Sequence, residues 1–236
     1  MVRVKKRDKV ADLFNALRNA ILEQALEPGR KLPEDTIGEK FGVSRTIVRY
    51  ALNQLAAEGL VVQQRNRSAT VAHPSWEEAQ DTFEIRIALE CLVMSRLASE
   101  LSAKQLEELN EHVLSEETAA RGDDEKLSIR LAGEFHIKLA QMTESAVLSG
   151  LAREFASRCS LILTIYSRPH SSECAIDEHR EIVRLLKKGD EAGAIAAMTA
   201  HLRAVADRAL VNPQRKKSRD IADILAPYVT AQEPRK

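Results

Sequence analysis

Apolar residues recur at three- and four-residue intervals near the start of the chain, at Val10, Leu13, Phe14, Leu17, Ile21 and Leu22. That spacing lines one face of a helix running to about Leu26. Pro28-Gly29 ends it in a turn. A short helix over 34–41 follows, and Gly42 breaks it. Ser44 is placed to cap a third helix with the apolar face Ile47, Val48, Ala51, Leu52 and Leu55. Gly59 closes that helix. The runs 60–64 (LVVQQ) and 69–73 (ATVAH) then read as two short strands around the polar turn Arg65-Asn66-Arg67-Ser68. Three helices followed by a two-stranded ribbon predict a winged helix-turn-helix.

Past His73-Pro74-Ser75 the period is helical throughout. It predicts helices over roughly 76–100, 103–121, 124–142, 145–167, 173–188 and 190–211. Breaks fall at Ser102, Gly122-Asp123, Thr143-Glu144, Pro169 and Gly189-Asp190. Short turns between long helices imply an antiparallel bundle. The expected fold is mainly α: an N-terminal winged helix-turn-helix over 1–74 and an all-helical bundle of six or seven helices over 75–212. A tail over 213–236 begins with the polar run 215–219 (RKKSR), and 221–228 is a candidate short helix.

Composition sharpens this picture in two ways. Aromatics make up only 4% of the chain, so aliphatic residues must fill the cores, as they do in helical packing. The formal net charge is zero but unevenly spread. Residues 1–75 carry 13 Lys and Arg against 8 Asp and Glu, and residues 76–212 carry 16 against 24. A basic N-terminal segment joined to an acidic body suits a nucleic-acid reader with a second module. Three widely spaced cysteines, Cys91, Cys159 and Cys174, point to no disulfide framework and to a reducing, cytoplasmic setting. No apolar run reaches membrane-spanning length.

The segment from Ile37 to Leu52 carries the first chemistry. Gly42 permits a tight turn between two packed helices. Arg45 and Arg49 then share one face of the next helix, with Thr46 and Asn53 beside them. Arginine matches guanine O6 and N7 through its fork, and threonine suits a phosphate or a thymine methyl. The stretch from Leu32 to Val71 resembles the N-terminal domain of the GntR family of bacterial regulators. The residues carrying the likeness are Phe41-Gly42-Val43-Ser44-Arg45-Thr46, Val48-Arg49, Ala51-Leu52, Leu55, Glu58-Gly59-Leu60-Val61 and Val71. The resemblance implies DNA contacts from Ser44, Arg45, Thr46, Arg49 and Asn53, from Arg30 or Lys31 ahead of the second helix, and from Arg65 and Arg67 in the wing. It also implies a homodimer on an inverted-repeat operator. Two positions depart from the family: Ile47 replaces the usual proline, and Ser68 stands where the wing commonly has glycine.

The bundle carries a second constellation. His136, His179 and His201 lie on three different predicted helices, each beside apolar residues expected to face inward. Dispersed histidines of this kind are either satisfied core residues or ligands converging on a divalent metal. Arg86 lies on a helix face with Phe83 and Leu89, where it reads equally as an ion-pair partner of Glu90 or as a grip on a carboxylate. Residues 80–205 resemble the FCD ligand-binding domain of the FadR subgroup of GntR regulators, through Phe83-Glu84-Ile85-Arg86, Leu89-Glu90, Phe135-His136, Asp177-Glu178-His179, Gly189-Asp190 and His201-Leu202. That resemblance implies zinc, nickel or manganese on the three histidines and an organic-acid effector at Arg86. The family's aspartate, one turn before the first histidine, is Ala132 here, and Glu134 is expected to point elsewhere. Tyr166, Arg168 and Cys174 lie near the loop before the helix of His179, where they read either as residues of the pocket mouth or as ordinary packing and surface. The implied activity is that of an effector-controlled transcription factor, most relatives being repressors. The competing readings are a metal-dependent hydrolase on the bundle and a DNA-binding protein without an effector.

Overall fold

Leu13, Leu17 and Ile21 form the buried stripe of α1 (Val2–Leu22). A computed structural model describes residues 2–22, 25–63, 67–122, 125–166 and 173–210. The helix starts at Val2 rather than near Val10, because residues 2–9 contain no breaker and are rich in Lys and Arg, which propagate helices readily. The remaining N-terminal elements are β1 (Lys31–Leu32), α2 (Glu34–Phe41), α3 (Arg45–Ala57), β2 (Val61–Val62) and β3 (Ala69–Val71).

The expected two-stranded ribbon is a three-stranded antiparallel sheet in the order β1-β3-β2. Leu32 lies opposite Ala69, and Val61 opposite Val71. Two residues ahead of Pro33 are too few to show alternation, so β1 left no trace in the pattern. Gly42 follows α2 with φ +62°, a left-handed conformation that closes the turn. Ser44 occupies the N-cap position of α3 with extended backbone, yet its hydroxyl makes no capping bond. The expected cap position is thus observed, but the capping hydrogen bond expected of serine is not. Leu13, Leu17, Ile21, Val48, Leu52, Leu55 and Leu60 close one core beneath α3.

Ser75 opens the helical region with a capping box: its hydroxyl accepts from the Glu78 amide while Glu78 accepts from the Ser75 amide. Six helices follow among the described residues: α4 (Trp76–Leu97), α5 (Ala103–Arg121), α6 (Glu125–Met142), α7 (Ala146–Tyr166), α8 (Glu173–Lys187) and α9 (Glu191–Ala209). Ser102 forms a second capping box with Gln105, and Asp190 caps α9 through the Gly193 amide. α4 packs on α9, α7 and α6; α5 packs on α6 and α8. The bundle core includes Met94, Leu109, Phe135, Leu139, Ile182, Met198 and Leu202. The proposed tail helix over 221–228 lies outside the described residues.

α7 belongs to both cores. Its Leu161 is buried in the N-terminal core, while Cys159 and Ile162 pack against Phe83 of α4. At the junction the Tyr166 hydroxyl donates to the Pro74 carbonyl at 2.9 Å, and its ring meets Trp76 edge-on. Tyr166 is therefore bound to the connector between the two regions. Leu139→Ala, at a fully buried position in the bundle core, is expected to cost about 2–5 kcal/mol of stability, measured by urea denaturation.

Candidate DNA-reading surface and metal centre

Helix α3 buries Ile47, Val48, Ala51, Leu52 and Leu55 and turns the opposite face outward. Ser44, Arg45, Thr46, Arg49 and Asn53 are all exposed on that face. Ile47, at the family's proline position, is part of the core, so the early helical turn accommodates it without disturbance. Asn53 accepts a 2.7 Å hydrogen bond from Gln63, tying the helix to the end of β2. Arg30 and Lys31 are exposed where the chain enters β1, and Arg67 is exposed on the wing. Arg65 lies outside the described residues, as do Arg168 and the Cys174 side chain.

The recognition face has partners on α2 that the sequence did not announce. Arg49 donates from Nε to Glu34 Oε1 at 3.0 Å and from Nη2 to Glu34 Oε2 at 2.7 Å. Arg45 pairs with Asp35. The hydrogen bond from Arg49 holds the Glu34 carboxyl below its ordinary range.

In the bundle, α6, α8 and α9 bring His136, His179 and His201 together, with a ligand atom of each within 4.8 Å of the others. All three are buried. Their Nε2 atoms converge: His201 lies 3.3 Å from both His179 and His136. Each Nδ1 is turned the other way, onto a carboxylate. His136 faces Glu90 of α4, His179 meets Glu116 of α5 at 2.7 Å, and His201 meets Glu178 of α8 at 2.6 Å. Phe135 stacks on His179 with ring centroids 4.0 Å apart, closing one side.

Hydrogen-bond logic assigns the tautomers. An ionised carboxylate only accepts, so each Nδ1 must donate, and a neutral ring then carries its lone pair on Nε2. Burial pushes His136 down to about 3, against the attraction of Glu90, and burial lowers His201 as well. Burial works in the opposite sense on Glu90, but the facing His136 ring and the Arg86 guanidinium outweigh it and hold the carboxyl down at about 2. Glu116 is likewise kept at about 2, its burial outweighed by the neighbouring rings of His112 and His179. Lone pairs that face one another across 3.3 Å repel unless a cation lies among them. The carboxylates have further cationic neighbours: Arg86 beside Glu90, and Arg208 at 3.9 Å from Glu178. The three histidines thus fit a metal, with their carboxylates as the outer partners that orient metal-bound imidazoles.

Glu116, Glu178 and His112 were not singled out in the sequence. His112 is buried, its Nε2 bonds the Leu131 carbonyl at 2.9 Å, and it lies 3.3 Å from Glu116 Oε1. That carboxylate oxygen is buried without a hydrogen bond. The one legible signal was the four-residue spacing of His112 and Glu116, which places both on one helix face. Glu134 points away from the centre and lies 3.7 Å from Arg130. Ala132, half-buried on α6, contributes no ligand. Arg86 is buried and donates from Nε to Glu90 at 2.6 Å, so it takes part in the centre as an ion pair. Cys159 of α7 lies beside it; burial raises the thiol, with Arg86 opposing.

Two residues before Cys159, Ser157 joins the two cores. It is fully buried and donates to Glu58 Oε2 at 2.9 Å, and Arg18 bonds both, at 3.0 Å to Glu58 and 3.2 Å to Ser157. Glu58 directly follows the recognition helix.

An exposed cationic helix face on a winged helix-turn-helix, joined to a helical domain with a buried cluster of histidines and carboxylates, defines the class: a DNA-binding regulator with a second, helical domain. Residues 9–71 match the gntR family of bacterial regulatory proteins, and residues 81–204, more than half of the chain, match the FCD domain. The chain belongs to the GntR family and carries an FCD domain. It is 26% identical over 192 residues to the HTH-type transcriptional regulator YdhC of Bacillus subtilis, covering 80% of this chain and 85% of that protein. It is 25% identical over 196 residues to the HTH-type transcriptional repressor RspR of Escherichia coli, covering 83% and 86%. The solved structure of E. coli McbR/YncC shares the fold, with a TM-score of 0.73 at 21% identity, covering 83% of this chain and 94% of that one. These families and relatives are transcriptional regulators, not enzymes, which removes the hydrolase reading. Among the described residues no helix is long and apolar enough to cross a membrane.

The Arg18–Glu58–Ser157 triad carries two predictions. Glu58→Ala leaves a half-buried guanidinium without its counter-charge and is expected to cost about 1–3 kcal/mol. Ser157→Ala is expected to cost about 1 kcal/mol. A double-mutant cycle read by urea denaturation should show the two effects to be non-additive.

Proposed function

We propose that the chain is an effector-controlled repressor that binds an inverted-repeat operator as a homodimer. Each α3 enters the major groove, with Arg45, Thr46 and Arg49 on base edges or phosphates. Arg30 or Lys31, Ser44, Asn53, Arg65 and Arg67 supply flanking contacts. The repressor sense is supported by the likeness to RspR.

The sensing half rests on one observation: three buried Nε2 atoms converge while every Nδ1 is held by a carboxylate. His136, His179 and His201 would hold a divalent metal, zinc, nickel or manganese, which would supply a Lewis-acidic point for an anionic ligand. With Ala132 at the family's aspartate position, the effector's own carboxylate is a natural additional ligand. The effector class is therefore a small organic acid. Arg86 would share its charge between Glu90 and that carboxylate.

Communication with DNA follows from α7. A shift of Arg86 or Glu90 moves the surroundings of Cys159, and Ser157 on the same helix holds Glu58 at the end of the recognition helix. An effector that favours one arrangement of this contact changes the spacing of two recognition helices in a dimer.

Two experiments test the halves separately. An operator is selected from a random 30-base-pair duplex pool, and Arg45→Ala and Arg49→Ala are expected to lose binding to it while keeping the wild-type thermal midpoint. Full affinity in both variants would sink the DNA assignment. Zinc calorimetry on metal-stripped protein should show one site per chain, lost in His179→Ala. Glu116→Gln should weaken it about 10–100-fold. Absence of zinc binding by the wild type would remove the metal from the sensing mechanism.

A further inference from the structure

We propose that the first turn of α2 is a clamp that positions the DNA-reading arginines, with Glu34 aligning Arg49 and Asp35 partnering Arg45, so that these two acidic residues set sequence specificity without themselves reading bases. The inference rests on the reading of Arg45 and Arg49 as DNA contacts.

The clamp is built into the geometry of the turn. Pro33 ends β1 and places Glu34 and Asp35 in the first turn of α2, where the helix dipole favours negative charge. α2 is pressed close to α3: a Cβ on Gly38 would sit 2.9 Å from the Val43 carbonyl oxygen and 3.7 Å from Val48 Cγ2. The carboxylates are thus delivered to the N-terminal half of α3 by two helices that cannot slide apart. Both oxygens of Glu34 are taken by one edge of the Arg49 guanidinium, at 3.0 and 2.7 Å.

The hydrogens on the other edge set the consequence. Arginine has five N–H groups in a planar fork, and Glu34 engages Nε and Nη2. The Nη1 hydrogens and the second Nη2 hydrogen remain on the outward edge. The Arg49 side chain is 64% exposed, so this edge faces solvent. A pair of parallel donors held in one plane is what guanine O6 and N7 require. An unclamped arginine would sample several rotamers and reach phosphates indiscriminately.

The pairs are not there for stability. Exposed ion pairs contribute little to folding, and Arg45, Asp35 and Arg49 are largely exposed. Their second effect is electrostatic. Two carboxylates within a Debye length of two arginines reduce the pull of this face on any phosphate, which lowers binding to unrelated DNA.

The test compares Glu34→Gln, Glu34→Asp and Arg49→Ala with the wild type, on the duplex selected by wild-type protein and on the random 30-base-pair pool. Glu34→Gln is expected to bind the selected duplex about tenfold more weakly and the random pool as tightly or more tightly. The salt slope for the random pool should steepen by about 1. Glu34→Asp keeps the charge but is too short for the two-point clamp, so it should lose selected-site affinity without the gain on random DNA. Thermal midpoints of both Glu34 variants should match the wild type. A selected-to-random ratio within about twofold of wild type in Glu34→Gln would overturn the clamp. Loss of selected-site binding in Arg49→Ala together with that result would overturn the clamp alone. Full binding by Arg49→Ala would overturn the DNA reading on which it rests.

Discussion

Four imidazoles, two carboxylates and a guanidinium share the interior of a bundle otherwise packed mainly with Leu, Ile, Val, Met and Phe, and the arrangement of the helical domain answers to that burden. Each buried ionisable group must find a partner or forfeit several kcal/mol. The partners come from different helices: Glu90 from α4, Glu116 from α5, His136 from α6, His179 and Glu178 from α8, and His201 from α9. One polar centre thus cross-links five helices. It also turns every Nε2 toward one point, the orientation that metal ligands share.

The same requirement extends outward. Arg86 is buried because Glu90 needs a counter-charge, and Cys159 fills the space beside it. Two residues along α7, Ser157 and its bonds to Glu58 and Arg18 meet the same rule at the border of the two cores. Leu161, one turn further, is buried with the N-terminal core. α7 is therefore simultaneously a wall of the helical domain and a part of the N-terminal core. A helix tied at its middle through Ser157 and at its end through Tyr166 transmits a displacement better than a flexible connector.

The recognition face is governed by the opposite condition. Its arginines are exposed, and their ion pairs with Glu34 and Asp35 add little to stability. A surface of that kind keeps its geometry through helix packing at Gly38 and its charge balance through neighbouring carboxylates.

Much of this was legible in the linear pattern. The 3.6-residue periodicity located α2 through α9 within a few residues, and Gly42, Ser75, Ser102 and Asp190 marked their ends, since local backbone chemistry decides where a helix stops. Residues 37–52 declared the DNA-reading helix for the same reason: turn, core face and cationic face all lie within one short segment. The three histidines were candidates whose convergence the family resemblance implied; spacing alone left it open, because ligands 43 and 22 residues apart meet only through bundle packing. Glu116 and His112 were given no role, and Glu178 only a place in the Asp177-Glu178-His179 motif, since a glutamate on a helix ordinarily faces water and nothing local distinguishes one that faces a ring. β1 was invisible for want of length. The partnerships of Glu34 and Asp35, of Ser157 with Glu58, and of Arg86 with Cys159 belong to tertiary structure, while the Arg86–Glu90 pair, four residues apart on one helix, was one of two readings the sequence left open. The sequence by itself determined the elements, their order and the family of the chain; only the packing of those elements decided which charges face each other, because burial and proximity are properties of the folded chain.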